Sequence, residues 1–323
     1  MPANLSPEFK KAEERYRAAT APEERLVLLE EMLTTIPKHK GTEKMQADLK
    51  TRIAKLKKEL VSSGKPGGGG RRGDWFHVEK QGAGQVVTVG VPNAGKSALV
   101  RALTGLATEV AAYPFTTTIP QAGMMEFEDI QIQLVDSPPV AVDSPAWLYH
   151  IMRTTDVLLV LYDLGDDALI ENTELLHDLL AKARIALEPT EGVTLKKLVR
   201  LGAKCDDPAA LDRLAILREL IGDVPLMLVS SEHGTGLEEL RRHLFETLDI
   251  IRVYTKKPGK PPVMDDPVIL KRGSSLMDAA YHLHKEIAQN LTFARLWNSS
   301  GLDGQRVDRA HVLLDKDIVE FHV

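Results

Sequence analysis

Residues 90 to 97 read GVPNAGKS and satisfy the pattern G-x-x-x-x-G-K-[ST] through Gly90, Gly95, Lys96 and Ser97. Each residue type has a task in holding a chain of phosphates. Glycines let the backbone turn until successive amides point into one anion-binding nest, and a helix opening at Lys96 adds the positive end of its dipole. Lys96 would neutralise the outer phosphates, and the Ser97 hydroxyl would coordinate Mg²⁺. The expected phosphate contacts are Gly90, Asn93, Ala94, Gly95, Lys96, Ser97 and Ala98.

Other residues suited to a bound nucleotide follow in order along the chain. In YPFTTTIP, residues 113 to 120, Thr117 is placed to close over the γ-phosphate and give a second Mg²⁺ ligand, with Thr116 the alternative. Asp136 ends an apolar run, where a carboxylate can hold Mg²⁺ through water. Lys96 and Thr117 are thus expected catalytic groups, and Ser97, Thr117 and Asp136 expected metal ligands. The usual D-x-x-G sensor of the γ-phosphate is altered, because Pro139 occupies the glycine position and has no N–H to donate. Val140 stands where Ras-type GTPases carry a water-orienting glutamine, so no catalytic base is evident. For the base, Ala203-Lys204-Cys205-Asp206 stands in place of N-K-x-D. Asp206 can accept the guanine N1 and N2 hydrogens, and the Lys204 stem can stack on the ring. Ala203 forfeits a polar contact of the kind worth about 1–3 kcal/mol. SSEHGTGL, residues 230 to 237, offers backbone amides near Ser230 and Ser231 to the same ring.

Regular elements must carry these loops. QVVTVG, IQIQLVD, VLLVLYD, LKKLVRLGA and PLMLVS alternate with amphipathic stretches beginning at Lys96, Pro145, Asp166, Pro208 and Leu237. Such alternation predicts a largely parallel sheet with helices on both faces over residues 84–248. Upstream, residues 1–63 read as a helical arm. Leu26, Leu29 and Leu33 fall at helical spacing, as do Met45, Leu49, Ile53, Leu56 and Leu60 behind an expected N-cap at Thr42. Residues 64–83 form a linker whose four consecutive glycines resist helix formation. Residues 249–323 break the alternation and read as a small α+β module with a helix starting near Ser275.

Composition bounds the function classes. One cysteine among 323 residues excludes an intrachain disulfide framework and fits a reducing compartment, so the cytoplasm is expected. No apolar run approaches the roughly 20 residues that span a bilayer. The formal net charge of −5 hides an asymmetry: residues 37 to 72 carry 11 Lys/Arg against 3 Asp/Glu, leaving the remainder strongly acidic. A basic segment on an acidic body suits a polyanion such as RNA. From Asp249 onward the charge is nearly balanced, 11 basic against 10 acidic, so net electrostatics argues little for RNA there.

The wording of these motifs, GVPNAGKS, YPFTTT, the terminal D-S-P-P and SSEHGTGL, resembles the Obg and developmentally regulated GTP-binding protein group. IPKHKGTEKMQADLKTRIAKLKKEL resembles the helical segment before their G domain. IIRVYTKKPGKPP with LKRGSSLMDAAYHLHKEI resembles their TGS domain. The resemblance covers nearly the whole chain. It implies an α/β fold: a P-loop NTPase core of the Ras-like G-domain type, with an N-terminal helical arm and a small ubiquitin-like α+β TGS domain. It implies slow Mg²⁺-dependent GTP hydrolysis, GTP and GDP as ligands, and a switch linked to the ribosome or RNA and to a protein cofactor, with neither membrane nor DNA as partner. Relatives with a hydrophobic residue at the glutamine position use K⁺ held partly by a loop asparagine. Asn93 matches that position and is the third expected catalytic group. The inserted subdomain of that group is reduced here to residues 166–194. Pro139 and Ala203 depart from the family pattern, and with Val140 they motivate a rival expectation. That rival is a pseudo-GTPase or nucleotide-promiscuous scaffold with little hydrolysis.

Overall fold

The computed structural model describes residues 16, 28–29, 32–33, 42, 45–46, 48–53, 78–105, 120–189, 196–298 and 301–323. The chain divides into two compact units, Met1–Trp75 and Phe76–Val323. In the first, Leu29, Met32, Leu49 and Ile53 are buried together, with Tyr16, Leu33 and Met45 packed against them. Residues three and four apart share one helix face, so these described apolar positions converge on a small core; Leu26, Leu56 and Leu60 lie outside the described residues. Thr42 is buried, and its Oγ1 accepts from Gln46 Nε2 at 3.3 Å.

The second unit begins with β1 (Gln85–Val89), α1 (Lys96–Thr104), β2 (Gln121–Phe127), β3 (Ile130–Asp136), α2 (Ala146–Thr154) and β4 (Val157–Asp163). It continues with α3 (Leu169–Lys182), β5 (Lys197–Ala203), α4 (Ala210–Ile221), β6 (Met227–Val229) and α5 (Leu237–Leu248). These strands make one sheet in the order β2-β3-β1-β4-β5-β6. All neighbours are parallel except β2, which runs antiparallel to β3. Every residue of β1 and β4 is buried. Central parallel strands covered on both faces need near-continuous apolar runs, which is why both are conspicuous in the sequence. The apolar runs alone pass over β2, QAGMMEF, because an antiparallel edge strand needs only one buried face.

Polar side chains inside this sheet are paired and fix the loops. Gln85 Nε2 donates to Gln133 Oε1 at 2.8 Å. Thr88 Oγ1 donates to the Val135 carbonyl at 3.1 Å, and Ser137 Oγ to the Thr88 carbonyl at 2.6 Å. The chain leaving β3 is thereby fastened to β1.

A second sheet follows, from β7 (Ile250–Lys256), β8 (Pro262–Lys271), β9 (Phe293–Trp297), β10 (Asp303–Val307) and β11 (Asp317–His322), in the order β10-β9-β11-β7-β8. Helices α6 (Leu276–Leu283) and α7 (Lys285–Asn290) lie between β8 and β9 in sequence. The helix expected near Ser275 is capped there: the Asp278 amide donates to Ser275 Oγ at 3.3 Å, and the Ser275 amide to Asp278 Oδ2 at 2.7 Å. Ile251, Val253, Leu276, Ala280, Leu296 and Val319 form its core.

Alternation along β7 sends Arg252 and Tyr254 to the opposite face, where they meet the turn between β2 and β3. Arg252 is 2% exposed. Its Nη1 donates to Glu128 Oε2 and Asp129 Oδ1, each at 2.6 Å. Nη2 and Nε hold both oxygens of Asp315, at 2.6 and 3.1 Å. The guanidinium lies 4.9 Å from the centroid of the Phe245 ring, and the Tyr254 hydroxyl donates to Asp129. Burial alone would lower the basicity of Arg252. The hydrogen bonds to Asp315, Glu128 and Asp129 raise it above its ordinary value.

Candidate nucleotide-binding site

In this sheet the loops after the parallel strands β1, β3, β4, β5 and β6 leave from carboxyl ends, the edge where open α/β sheets bind ligands. Gly90 follows β1, and a Cβ there would sit 3.1 Å from the Leu161 carbonyl and 3.3 Å from Ala94 Cβ, so only glycine fits without displacement. Gly95 caps α1 with φ 87°, a left-handed conformation that glycine adopts without penalty. Among the described residues no side chain caps this helix. The amides that open it at Lys96, Ser97 and Ala98 therefore stay available to an anion. Asn93 is exposed on the loop at φ 63°, and Ala94 is buried beneath it.

Lys96 is 6% exposed and curls back over its own loop, donating from Nζ to the carbonyls of Gly90 at 3.0 Å and Val91 at 2.8 Å. Burial pushes its ammonium down to about 8, against the raising pull of Asp136. A polyphosphate beside it would stabilise the charged form and raise that value again. Asp136 ends β3 and is buried. Burial raises its carboxyl above the usual aspartate range, while the Ser97 hydroxyl and Lys96 pull it down. Among the described residues its Oδ1 is buried without a hydrogen-bond partner. An orphaned carboxylate oxygen beside a serine hydroxyl is an incomplete oxygen set, and it fits a hard divalent cation such as Mg²⁺.

The two altered switch positions take definite places. Val140 is fully buried, and its amide donates to the Gly90 carbonyl at 3.0 Å. Its side chain belongs to the hydrophobic core of the sheet. Pro139 precedes it, and Ser144 Oγ donates to the Pro139 carbonyl at 3.4 Å. Thr116 and Thr117 lie outside the described residues.

The residues expected to meet the base stand at the ends of β5 and β6, beside the end of β4. Ala203 is buried at the end of β5. Lys204 takes φ 56° and donates from Nζ to Asp163 Oδ2 at 2.6 Å. The Ser230 hydroxyl holds the Asp206 carboxyl below the usual aspartate range, with His233 and Lys204 adding smaller contributions. Ser230 is buried, its Oγ accepting from the His233 amide at 3.1 Å, and His233 Nδ1 lies 3.6 Å from Asp206 Oδ2. Ser231 follows, partly exposed. The structure thus gathers Lys204, Asp206, Ser230 and Ser231 at one edge, and adds Asp163 and His233, which motif reading passes over. A signal for Asp163 exists: it ends VLLVLYD just as Asp136 ends IQIQLVD.

Residues 85–197 match the family model described as 50S ribosome-binding GTPase, and residues 251–323 match the TGS domain. The chain is a P-loop GTPase with a C-terminal TGS domain. Among similar proteins of this GTPase class, Developmentally-regulated GTP-binding protein 1 of Xenopus laevis is 27% identical, over 92% of this chain and 97% of that one. Ribosome-interacting GTPase 1 of Saccharomyces cerevisiae is 26% identical over the same shares. The solved structure of the Schizosaccharomyces pombe YchF GTPase shares the fold of this GTPase at a TM-score of 0.55 and 13% identity, covering 76% of this chain and 99% of that one. Among the described residues no helix of the GTPase is long and apolar enough to cross a membrane.

Proposed function

We propose that this GTPase is a regulatory switch of the developmentally regulated branch of the Obg-like group, working in the cytoplasm with a ribosomal or RNA partner and a protein cofactor. The observation that carries the reading is the orphaned Asp136 Oδ1 beside Ser97 and the desolvated Lys96, at the mouth of an uncapped helix. A desolvated lysine, unclaimed amides and a lone carboxylate oxygen are together complementary to a magnesium–triphosphate complex.

In the proposed reaction water adds to the γ-phosphorus as the bond to the β–γ bridging oxygen breaks, giving GDP, inorganic phosphate and a proton. Mg²⁺, when bound, spreads the developing charge of the phosphate oxygens; Ser97, Asp136 and Thr117 would hold it. Lys96 swings from the loop carbonyls to the β- and γ-phosphates, and the amides from Gly90 to Ala98 line the rest of the chain. Lys204 and Asp206 hold the guanine, with the Ser230 and Ser231 amides beside it. Asn93 would supply a loop oxygen to K⁺. With Val140 in the core, no described side chain orients the attacking water, so intrinsic turnover is expected at about 10⁻³ s⁻¹ or below.

Coupling to a partner is supported by the β2–β3 hairpin, which ends at Asp136 on one side and is gripped by Arg252 at its turn. The ribosomal partner is supported by the name of the yeast relative and by the basic run from residue 37 to 72. A second reading, a scaffold that binds nucleotide but scarcely hydrolyses it, is favoured by the burial of Val140 and the missing polar group at Ala203. Titration with GTP, GDP and ATP, followed by phosphate release with and without ribosomes, separates the two. Stimulated release supports the switch; tight GTP binding without release supports the scaffold.

A further inference from the structure

We infer that Asp163 is a positioning residue for base recognition, seating the Lys204 side chain against the purine and replacing the anchorage lost with the asparagine that Ala203 displaces. The inference rests on the reading of Lys204 and Asp206 as base contacts.

Asp163 and Ala203 are register partners at the ends of β4 and β5. A buried alanine methyl cannot brace the loop that follows it, whereas the carboxylate one strand away can. Asp163 is itself 5% exposed, and both of its oxygens are committed. Oδ2 accepts from Lys204 Nζ at 2.6 Å, and Oδ1 from the Gly165 amide at 2.9 Å. The lysine side chain remains 44% exposed, so the carboxylate grips its tip while the methylene stem stays open to a ring. A charge-assisted bond of this kind is stronger than the neutral amide contact it replaces.

Gly165 completes the seat. A Cβ at this position would lie 3.1 Å from Lys204 Cδ and 3.2 Å from Asp163 Oδ1, so the absence of a side chain is what lets the stem pass. Lys204 also holds a left-handed backbone, uncommon for a lysine, which persists only where the surroundings fix it. Those surroundings join the two loops: the Leu164 amide donates to the Ala203 carbonyl at 2.9 Å, and Arg213 Nη1 donates to the Leu164 carbonyl at 3.0 Å and to Asp207 at 2.8 Å. The loops after β4 and β5 form one braced unit, with the Lys204 stem at its open edge.

The test is calorimetric affinity of the full chain, with Mg²⁺, for GDP, ADP and inorganic tripolyphosphate, which has phosphates and no base. Asp163→Asn and Gly165→Ala should each weaken GDP and ADP by about three- to tenfold and leave tripolyphosphate within about twofold. In a Lys204→Ala background, Asp163→Asn should add nothing, because its effect runs through that lysine. Equal loss of tripolyphosphate, an undiminished Asp163→Asn effect without Lys204, or unchanged GDP affinity in Asp163→Asn would overturn the proposal. Should Asp163→Asn not fold, as judged by its melting curve, Gly165→Ala keeps the ion pair and carries the same comparison. Lys204→Ala with full GDP affinity would instead remove the base-site reading itself, a result distinct from failure at Asp163 alone.

Discussion

Arg252 Nη1 lies 2.6 Å from Asp129 Oδ1, which joins the first strand of the TGS sheet to the turn of the β2–β3 hairpin in the GTPase domain. From that turn β3 runs to Asp136, a span of about 20 Å at the usual rise per residue. One strand therefore has a buried arginine clamp at one end and the candidate metal ligand at the other. A strand paired on both sides moves as a body, so a shift at Asp136 on nucleotide exchange has a direct mechanical route to the TGS sheet.

Arg252→Met should destabilise the protein by about 2–4 kcal/mol, because Asp129 and Asp315 then lose the guanidinium and Glu128 keeps only Lys316, at 2.9 Å. Asp129→Asn should cost about 1 kcal/mol, since the amide oxygen still accepts from the arginine. Urea unfolding midpoints measure both. A variant Arg252→Met that unfolds with the wild-type midpoint would show that the clamp contributes nothing. Hydrogen exchange in β7 should also differ between the GTP-analogue and GDP states of the wild type, and lose that difference in Arg252→Met.

The clamp has a pH signature of fixed sign. Hydrogen bonds from Lys316 and Arg252 lower the Glu128 carboxyl, and at Asp315 the bonds from Arg252 outweigh the raising effect of burial. Groups depressed in the folded state stabilise it above their unfolded value, about 4, and lose that contribution as pH falls through the folded values. The stability gap between wild type and Arg252→Met should therefore be constant near neutrality and narrow below about pH 4. A gap that persists unchanged into acid unfolding would contradict the assignment.

Asp136→Asn should weaken Mg²⁺-dependent GTP-analogue binding by about 10–100-fold while leaving the ligand-free protein no less stable. In the wild type, burial of the charge outweighs the pull of Ser97 and Lys96 on it, so its removal costs the ligand-free fold no stability. Calorimetry with and without Mg²⁺, alongside thermal melts, reads both parts. A large drop in melting temperature with metal dependence intact would make Asp136 structural.

Exchange of K⁺ for Na⁺ should slow GTP hydrolysis by about tenfold or more, a loss of charge stabilisation in the transition state. Asn93→Gly keeps the left-handed backbone at that position and should abolish the difference between the two cations. A wild-type rate indifferent to the exchange would remove K⁺ from the mechanism.

What could be read from the chain divides by the range of the interactions involved. GVPNAGKS was legible because phosphate binding needs consecutive amides, so its residues must be neighbours in sequence. The strand VLLVLYD was legible because burial on both faces leaves a long apolar run. Strand β2, at a half-exposed edge, leaves no such run. Arg252 carries no signal at all, since its partner Asp129 lies 123 residues away and a lone arginine in a strand resembles any surface charge. Asp163 falls between these cases: its position at a strand end was visible, but its bond to Lys204 depends on the pairing of β4 with β5.

The central claim is that the loop from Gly90 to Ser97 holds the phosphates of a guanine nucleotide, and Lys96→Ala tests it most directly. Fluorescent GDP and a non-hydrolysable GTP analogue, titrated with Mg²⁺ into wild-type and Lys96→Ala protein of equal thermal stability, should saturate the first and fail to bind the second. Equal affinity in the two proteins would mean that nucleotide binds elsewhere or not at all.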